Sequence, residues 1–161
     1  MRRLILAALG FPLAVATPTI AQTGVEPVPY PEGYRLWTHV NSMVLFENHA
    51  LAEQFGGLHH VYANELALEG LQNGSYADGA VFVFDLLETQ QSDDALTEGA
   101  RKRVDVMHRN ASRYASTGGW GFDTFAANSR SERLVTDGGV SCYECHTQQA
   151  EKSFVFSHWS P

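Results

Sequence analysis

The sequence has few of the residues on which several classes of protein depend. Only two of its 161 residues are cysteines, Cys142 and Cys145, whereas a structural zinc site needs four cysteine or histidine ligands, usually in two paired clusters. Basic residues are also scarce, with 11 lysines and arginines against 18 aspartates and glutamates. A protein that binds nucleic acid needs a basic surface to meet the phosphates. The composition therefore excludes nucleic acid as a partner.

No apolar run is long enough to cross a bilayer, which takes about 20 residues. The apolar stretch 4–15 follows the basic Met1-Arg2-Arg3, and the small residues of 14–16 and 19–21 offer cleavage sites. This order is typical of a secretory signal peptide over residues 1–21, and we expect cleavage before Gln22 and a periplasmic protein. An uncleaved N-terminal anchor is the alternative. Cleavage leaves 140 residues, enough for one domain, and takes the formal charge from −7 to −9.

The two cysteines form the motif Cys142-Tyr143-Glu144-Cys145-His146. Cysteines three positions apart on a helical turn point the same way, so both can form thioethers to the vinyl groups of one porphyrin. A histidine directly after the second cysteine can then bind the iron. The pattern C-x-x-C-H is the attachment site of a c-type haem, which in bacteria is attached outside the cytoplasm. The motif and the signal peptide therefore support each other.

Other interpretations of the motif are weaker. A thioredoxin-like C-x-x-C opens a helix after a strand, whereas here a loop, residues 136–141, precedes it. A zinc site lacks its second cluster, and a plain disulfide leaves His146 without a role.

The rest of the chain shows mainly strand patterns. After an extended, proline-rich lead-in over residues 22–33, one haem domain is expected over residues 34–161. Asn64 is a good helix N-cap and Gly74 a good stop for one short helix, and a second helix is expected at Cys142–His146. Residues 88–99 are polar and predict a loop, and residues 154–156 are a last apolar element. Strand patterns occur at residues 34–45, 58–63, 80–87, 101–109 and 120–125.

These elements predict an α+β protein with a mainly antiparallel sheet and a few short helices. Residues 80–87 are apolar at every position but one, so we expect this strand to be central. Gly121 in the last strand predicts the close approach of a neighbour. Four long amphipathic helices are absent, which excludes a haem-bearing helix bundle.

Several short motifs recur in an order known from one family. They are Tyr62-Ala63-Asn64, Asp78-Gly79, Val104-Asp105-Val106-Met107, Gly118-Gly119-Trp120-Gly121-Phe122, the haem motif and Phe154-Val155-Phe156-Ser157. Together they resemble the cytochrome P460 family, which includes the cytochromes c′-β, over residues 30–159. The resemblance implies a homodimer, a mainly antiparallel β fold, and one haem c with a proximal histidine and an open or weakly held sixth position.

The resemblance also implies two functional branches. Enzymatic P460s oxidise hydroxylamine and carry a lysine cross-linked to the porphyrin. The c′-β branch lacks this lysine, has phenylalanine over the iron, and binds nitric oxide or carbon monoxide. The lysine position aligns with Phe84, and the chain has only two lysines, Lys102 and Lys152. The enzymes also use a distal carboxylate, but residues 115–119 contain no acid, which leaves Asp123 as a minor candidate.

Other residues compete for roles at the iron. His59 and His60 are adjacent on a strand, so they should point to opposite faces, and either could be a sixth ligand. Met43 or Met107 could be an axial ligand of an electron carrier, although both are expected to be core residues. Lys102 could reach the haem edge by another route, although it is expected at a solvated strand end. The remaining histidines are expected at the surface: His39, His49, His108 and His158.

Under strand alternation Phe84 shares one face with Ala80 and Phe82, and with the resemblance this predicts Phe84 as a cap over the iron; simple core packing is the alternative. The resemblance implies a distal side that is apolar and without hydrogen-bond donors. The sequence thus predicts an exported mono-haem cytochrome that binds nitric oxide or carbon monoxide at iron held by Cys142, Cys145 and His146. The alternatives are an oxidoreductase acting on hydroxylamine or nitric oxide, and a low-spin electron carrier. The acidic balance fits a soluble protein or one with a cationic redox partner protein.

Overall fold

Strands rich in valine and phenylalanine form an antiparallel sheet, which the computed structural model describes with its connections over residues 27–160. The sheet contains five strands: β1 (Thr38–Leu45), β2 (Gly57–Ala63), β3 (Val81–Ser92), β4 (Ala95–Arg109) and β5 (Trp120–Ala126). Three short α-helices accompany it: α1 (Ala52–Phe55), α2 (Glu65–Asn73) and α3 (Val140–His146). The strands lie in chain order, and each antiparallel pair is adjacent in sequence. The predicted α+β class is confirmed.

Strand β3 lies in the centre of the sheet, as its apolar residues predict. Its side chains form part of two separate cores. Phe82 and Phe84 point to the face on which α3 packs, whereas Val83 points to the other face. A strand that buries both of its faces needs apolar residues in both alternating sets. The prediction of a central strand is therefore confirmed.

The face of the sheet that carries Phe82, Phe84, Met107 and Phe122 is called the α3 face, because α3 packs on it. The register across β2, β3, β4 and β5 places residues in rows on this face. One row is Val61, Phe84, Asp105 and Thr124; the next is Ala63, Phe82, Met107 and Phe122. The opposite face buries another core, built from Val28, Tyr34, Val83, Val104, Val106, Tyr114 and Phe125.

Helix α2 begins and ends where the sequence predicts. The side-chain oxygen of Asn64 accepts a hydrogen bond from the backbone N–H of Ala67 at 3.0 Å, which satisfies one of the free donors at the helix start. The same oxygen accepts from the N–H of Val81 at 3.0 Å. Asn64 therefore also ties α2 to the start of β3. Gly74 ends the helix at φ +81°, a conformation that glycine adopts without strain.

The predicted loop over residues 88–99 is wrong. β3 continues to Ser92 and β4 starts at Ala95, so these residues form a long hairpin. Asp93 and Asp94 make its turn, with φ of +51° and +61°. The hairpin extends beyond the first residues of β2, which pair with β3 only as far as Leu87, and its side chains are mostly exposed. Solvent on both faces removes the apolar alternation by which a strand is recognised.

Smaller differences concern the ends of elements. β1 begins at Thr38 rather than at Tyr34, because Tyr34–Leu36 form a 3-10 turn that follows Gly33 at φ +69°. Residues 154–156 lie outside any helix or strand. The close approach at Gly121 is present, since a Cβ there would lie 2.5 Å from the ring of Tyr114.

The predicted signal peptide, residues 1–21, lies outside the described residues, as does the first part of the lead-in. Residues 27–31 belong to no helix or strand, residues 32–33 form a turn, and Val28 packs in the core of the opposite face. Between residues 27 and 160, no helix is long and apolar enough to span a bilayer.

Candidate functional site

Helix α3 carries the predicted attachment motif and is fixed at its start by Asp137 and Gly139. The carboxylate of Asp137 accepts hydrogen bonds from the backbone N–H groups of Ser141 and Gly139, each at 2.9 Å. These bonds hold the pKa of Asp137 below its ordinary value, and the bond from Ser141 contributes most. Gly139 has φ +85°, and a Cβ there would lie 2.9 Å from Phe122. Glycine thus lets the helix start directly against β5.

The two thiols lie one turn apart on α3. Cys142 is half-buried and packs against the core of the α3 face, whereas Cys145 is exposed. Burial raises the pKa of the Cys142 thiol, and the nearby carboxylates of Asp105 and Asp137 raise it further. No disulfide joins the two sulfurs.

His146 ends α3 with its ring held on three sides. Its Nδ1 lies 2.6 Å from the carbonyl oxygen of Phe154, and a carbonyl only accepts, so Nδ1 carries the proton. The rings of Phe122 and Phe156 lie 4.8 Å and 5.0 Å from the imidazole. Burial lowers the pKa of His146. The neutral ring therefore has its free lone pair on Nε2, the arrangement in which histidine binds metals.

Phe84 lies on the α3 face among aromatic groups. Its ring centroid is 4.4 Å from that of His59 on β2 and 6.1 Å from that of Phe55 at the end of α1. Ala80, Phe82 and Phe84 belong to one core cluster, as the alternation predicts, and Cys142 packs against the same cluster. Phe84 and the attachment motif therefore meet on one face of the sheet.

The α3 face also carries a charged pair that the sequence analysis did not identify. Arg103 and Asp105 on β4 form an ion pair, with Nε and Oδ2 3.1 Å apart, and the guanidinium lies 4.8 Å from the ring centre of Phe55. The hydroxyl of Thr124 donates to Asp105 at 2.7 Å. Burial raises the pKa of Asp105, although Arg103 opposes the shift. The expectation of a face without hydrogen-bond donors is wrong, because the guanidinium lies one row from Phe84.

The fold and these side chains can now be compared with known proteins. A family model for cytochrome P460 matches residues 31–157, which include all five strands and α3. The chain belongs to the cytochrome P460 family. Among curated proteins, no sequence matches it. The family implies a haem cofactor.

The residues of this P460 protein fit a haem. His146 offers Nε2 as an iron ligand, and both cysteine thiols are free for thioether bonds. Two further atoms on the α3 face, Oδ1 of Asn41 and Nδ1 of His59, are buried without a hydrogen-bond partner. Buried polar atoms seldom lack partners in native proteins. A group with polar edges and a large apolar surface on this face therefore suits the site.

The other candidate iron ligands are distributed over both faces. His59 is buried on the α3 face, whereas His60 points to the opposite face and bonds Ser42 and Glu98 at 2.6 Å and 2.8 Å. Their opposite orientation confirms the strand prediction. Met107 is a core residue as expected. Met43 is 43% exposed at the edge strand β1, so the expectation of a core methionine is wrong there.

Two charged candidates remain, Asp123 and Lys102. The carboxylate of Asp123 is on the opposite side of β5, where it pairs with Arg133, because alternation puts it out of phase with Phe122 and Thr124. It is therefore not the distal carboxylate. Lys102 is exposed, as expected, and donates to the carbonyl of Gly56 at 2.7 Å.

Three of the four remaining histidines are exposed as expected: His39, His49 and His158. His108 is half-buried instead, and burial lowers its pKa. Its ring lies 6.0 Å from that of Tyr114, in the edge-to-face arrangement. The β4 strand turns this residue toward the core of the opposite face, because it follows Val104 and Val106 in the alternation.

The alternation on β4 could have revealed Arg103 and Asp105, since they flank Val104, alternate with Val104 and Val106, and so face away from the valine core. Phe55 had no such signal, because it reaches Phe84 through a four-residue helix. The carbonyl of Phe154 also had none, because a backbone acceptor leaves no trace in the side-chain pattern.

Proposed function

We propose that this P460 protein attaches one haem c through thioethers from Cys142 and Cys145, with His146 as the proximal ligand. The haem supplies a ferrous iron that binds small diatomic molecules, and we propose nitric oxide and carbon monoxide as the ligands, as in the c′-β branch. Phe154 orients His146 by accepting its Nδ1–H, which strengthens the imidazole as a donor. Burial keeps this ring neutral, as an iron ligand must be.

The observation that most directly supports ligand binding is the aromatic cluster around Phe84. β3 contains no lysine, so the cross-link of the hydroxylamine-oxidising enzymes has no partner on this strand. Instead the rings of Phe84, Phe55 and His59 lie together on the face that meets the attachment motif. Crowded aromatic rings favour an uncharged diatomic over water or anions beside Phe84, because the rings offer no hydrogen bonds in return for lost hydration. The nearby Arg103 donates its Nε–H to Asp105.

A second candidate is an oxidoreductase that acts on hydroxylamine or nitric oxide. Asp105 favours it, because this carboxylate lies on the same face as Phe84 and has a raised pKa, as a proton acceptor for a substrate N–H or O–H requires. Arg103 and Thr124 hold it in place. Oxidation of a substrate requires a group that accepts its proton, and the aromatic rings around Phe84 contain no such group.

The proposal also includes a periplasmic location, a homodimer and a cationic redox partner protein. Haem attachment to C-x-x-C-H supports export by the N-terminal segment to the periplasm. The family resemblance supports a homodimer, and the formal charge of −7 supports a cationic redox partner.

Absorption and resonance Raman spectra of the haem-loaded protein, with and without nitric oxide, test the proposal. We expect a five-coordinate or weakly six-coordinate resting iron that binds nitric oxide and carbon monoxide. A stable low-spin six-coordinate resting state would contradict the proposal and identify an electron carrier. Steady oxidation of hydroxylamine with an electron acceptor, lost in Asp105→Asn, would favour the second candidate.

A further inference from the structure

A cleft of about 210 Å³ lies away from Phe84 and Asp105, between the end of α2, the start of β5 and the turn after α3. Residues of all three parts line it, including Ser75, Tyr76, Arg109, Trp120, Ser153 and Phe154. The volume exceeds the roughly 10–15 Å³ that one water needs by the same kind of measure. The cleft can therefore hold a small ligand together with water.

Among residues 27–160, Arg109 is the only charged residue that lines this cleft. Its Nη1 donates to the carbonyl of Gly118 at 2.8 Å, and its guanidinium lies 5.6 Å from the ring centre of Trp120. Within residues 27–160 no carboxylate pairs with it, and neither Nε nor Nη2 has an acceptor. Other arginines of this part of the chain do pair with carboxylates: Arg35, Arg101, Arg103, Arg130 and Arg133.

A half-buried guanidinium without a counter-charge is unfavourable, since its desolvation is not repaid by an ion pair. In a chain with 18 acidic residues, the missing partner is notable. Nε and Nη2 form one edge of the guanidinium fork, which matches two oxygens of an oxyanion. The hydroxyls of Ser75 and Ser153 make no hydrogen bond with any residue between 27 and 160, so both remain available as donors.

We propose that this cleft binds a small inorganic oxyanion, of the size of nitrate, sulfate or phosphate, through Arg109 and the hydroxyls of Ser75 and Ser153. The cleft shares only Phe154 with the iron site, where its carbonyl accepts from His146, and anion binding at Arg109 does not depend on the proposed function. Its electrostatics favour an anion over a neutral ligand, because Arg109 supplies the only formal charge. Tyr76 stays protonated there, since burial raises its pKa.

Titration calorimetry of the haem-loaded protein with phosphate, sulfate and nitrate, at constant ionic strength, tests the proposal. We expect a Kd of about 1 mM or tighter for at least one anion. Arg109→Gln should weaken binding at least about tenfold, because a charge-assisted pair is lost. Arg130→Gln removes the same charge from an exposed ion pair elsewhere and should change Kd less than about twofold.

A second pair of variants keeps the test decisive where Arg109→Gln fails to fold. Ser153 has φ +55°, which aspartate and asparagine tolerate better than most residues. Ser153→Asp places a carboxylate beside Arg109 and should abolish anion binding, whereas Ser153→Asn has the same shape without the charge and should retain it. Equal affinity in these two variants would overturn the proposal. The absence of a heat of binding at about 10 mM anion would also overturn the proposal. This result would be obtained if a carboxylate of the bound haem occupied the cleft.

Discussion

The rings of Phe55 and Phe84 meet edge to face, with centroids 6.1 Å apart. Phe55 is the last residue of α1 and Phe84 is the fourth residue of β3, so the contact joins a four-residue helix to the central strand. Arg103 lies against the ring of Phe55, and His59 against that of Phe84. An aromatic pair of this kind contributes about 0.5–1.5 kcal/mol beyond its buried area. The ring of Phe84 is therefore held in a fixed orientation on the α3 face.

Replacement of Phe84 by alanine should speed the binding of carbon monoxide to the ferrous protein. The substitution removes a ring that crowds the α3 face, and we expect an association rate about tenfold higher, equivalent to roughly 1.4 kcal/mol from the barrier. Flash photolysis measures this rate. Phe46→Ala is the control, because Phe46 is 62% exposed and outside the cluster. Unchanged carbon monoxide and nitric oxide kinetics in Phe84→Ala would remove this residue from the ligand pocket.

The two cysteines should be separable by their effect on haem attachment. Cys142→Ser and Cys145→Ser each leave one thiol, and both single variants should retain haem on a denaturing gel through one remaining thioether. The double variant should lose the haem from the denatured chain. Pyridine haemochrome spectra should show the band of each single variant between those of haem c and free haem. Haem that stays with the denatured double variant would rule out attachment through these thiols.

Asp85 should be essential for the stability of the opposite face. Its carboxylate is fully buried and accepts hydrogen bonds from Tyr34 Oη at 2.8 Å and from Arg101 Nε at 2.6 Å. Asp85→Ala leaves the guanidinium of Arg101 without its partner, so we expect a loss of about 3–5 kcal/mol in the free energy of unfolding by urea. Tyr34→Phe removes one bond and keeps the ion pair, so its loss should be smaller, about 2 kcal/mol. A larger loss in Tyr34→Phe than in Asp85→Ala would contradict this order.

Much of the fold could be predicted because some residues leave local signals. Asn64 and Gly74 bound α2, since a polar N-cap and a left-handed C-terminal glycine are set by local geometry. The apolar residues of β3 predict a buried central strand. The attachment motif needs only the spacing of Cys142, Cys145 and His146, which its helix then provides.

Other features of the fold and of the site depend on contacts that no local sequence pattern predicts. The hairpin beyond Leu87 is stabilised by backbone pairing between two exposed strands, so its side chains show no alternation. The partner of His146 is a backbone carbonyl, that of Phe154, eight residues along the chain. Arg103 and Asp105 reach the α3 face through the alternation of β4, which the sequence indicates only through Val104 and Val106, the residues that alternate with them.

The hairpin turn should respond to glycine in a predictable direction. Asp94 has φ +61° and a mostly exposed side chain, and an L-residue in the left-handed region is strained by about 1–2 kcal/mol unless it is glycine, asparagine or aspartate. Asp94→Gly should therefore keep or raise the urea midpoint, whereas Asp94→Ala should lower the free energy of unfolding by about 1 kcal/mol. Both variants remove the same charge, so their difference isolates the backbone effect. Equal midpoints for Asp94→Gly and Asp94→Ala would show that the turn has another conformation in solution.

Asp105 should make the stability of the protein depend on pH. Burial raises its pKa above the ordinary 3.8, so the folded protein holds this proton more tightly than the unfolded chain. The contribution to stability is complete below pH 3.8 and is lost as the pH rises through the folded pKa. Asp105→Asn cannot ionise, so the stability of the variant relative to the wild type should rise with pH over that window. Urea unfolding between pH 4 and 7 measures the difference, with Asp94→Asn as the control for removal of an exposed carboxylate. A wild type and an Asp105→Asn variant with parallel pH profiles would show that the carboxylate ionises in the folded protein as it does in water.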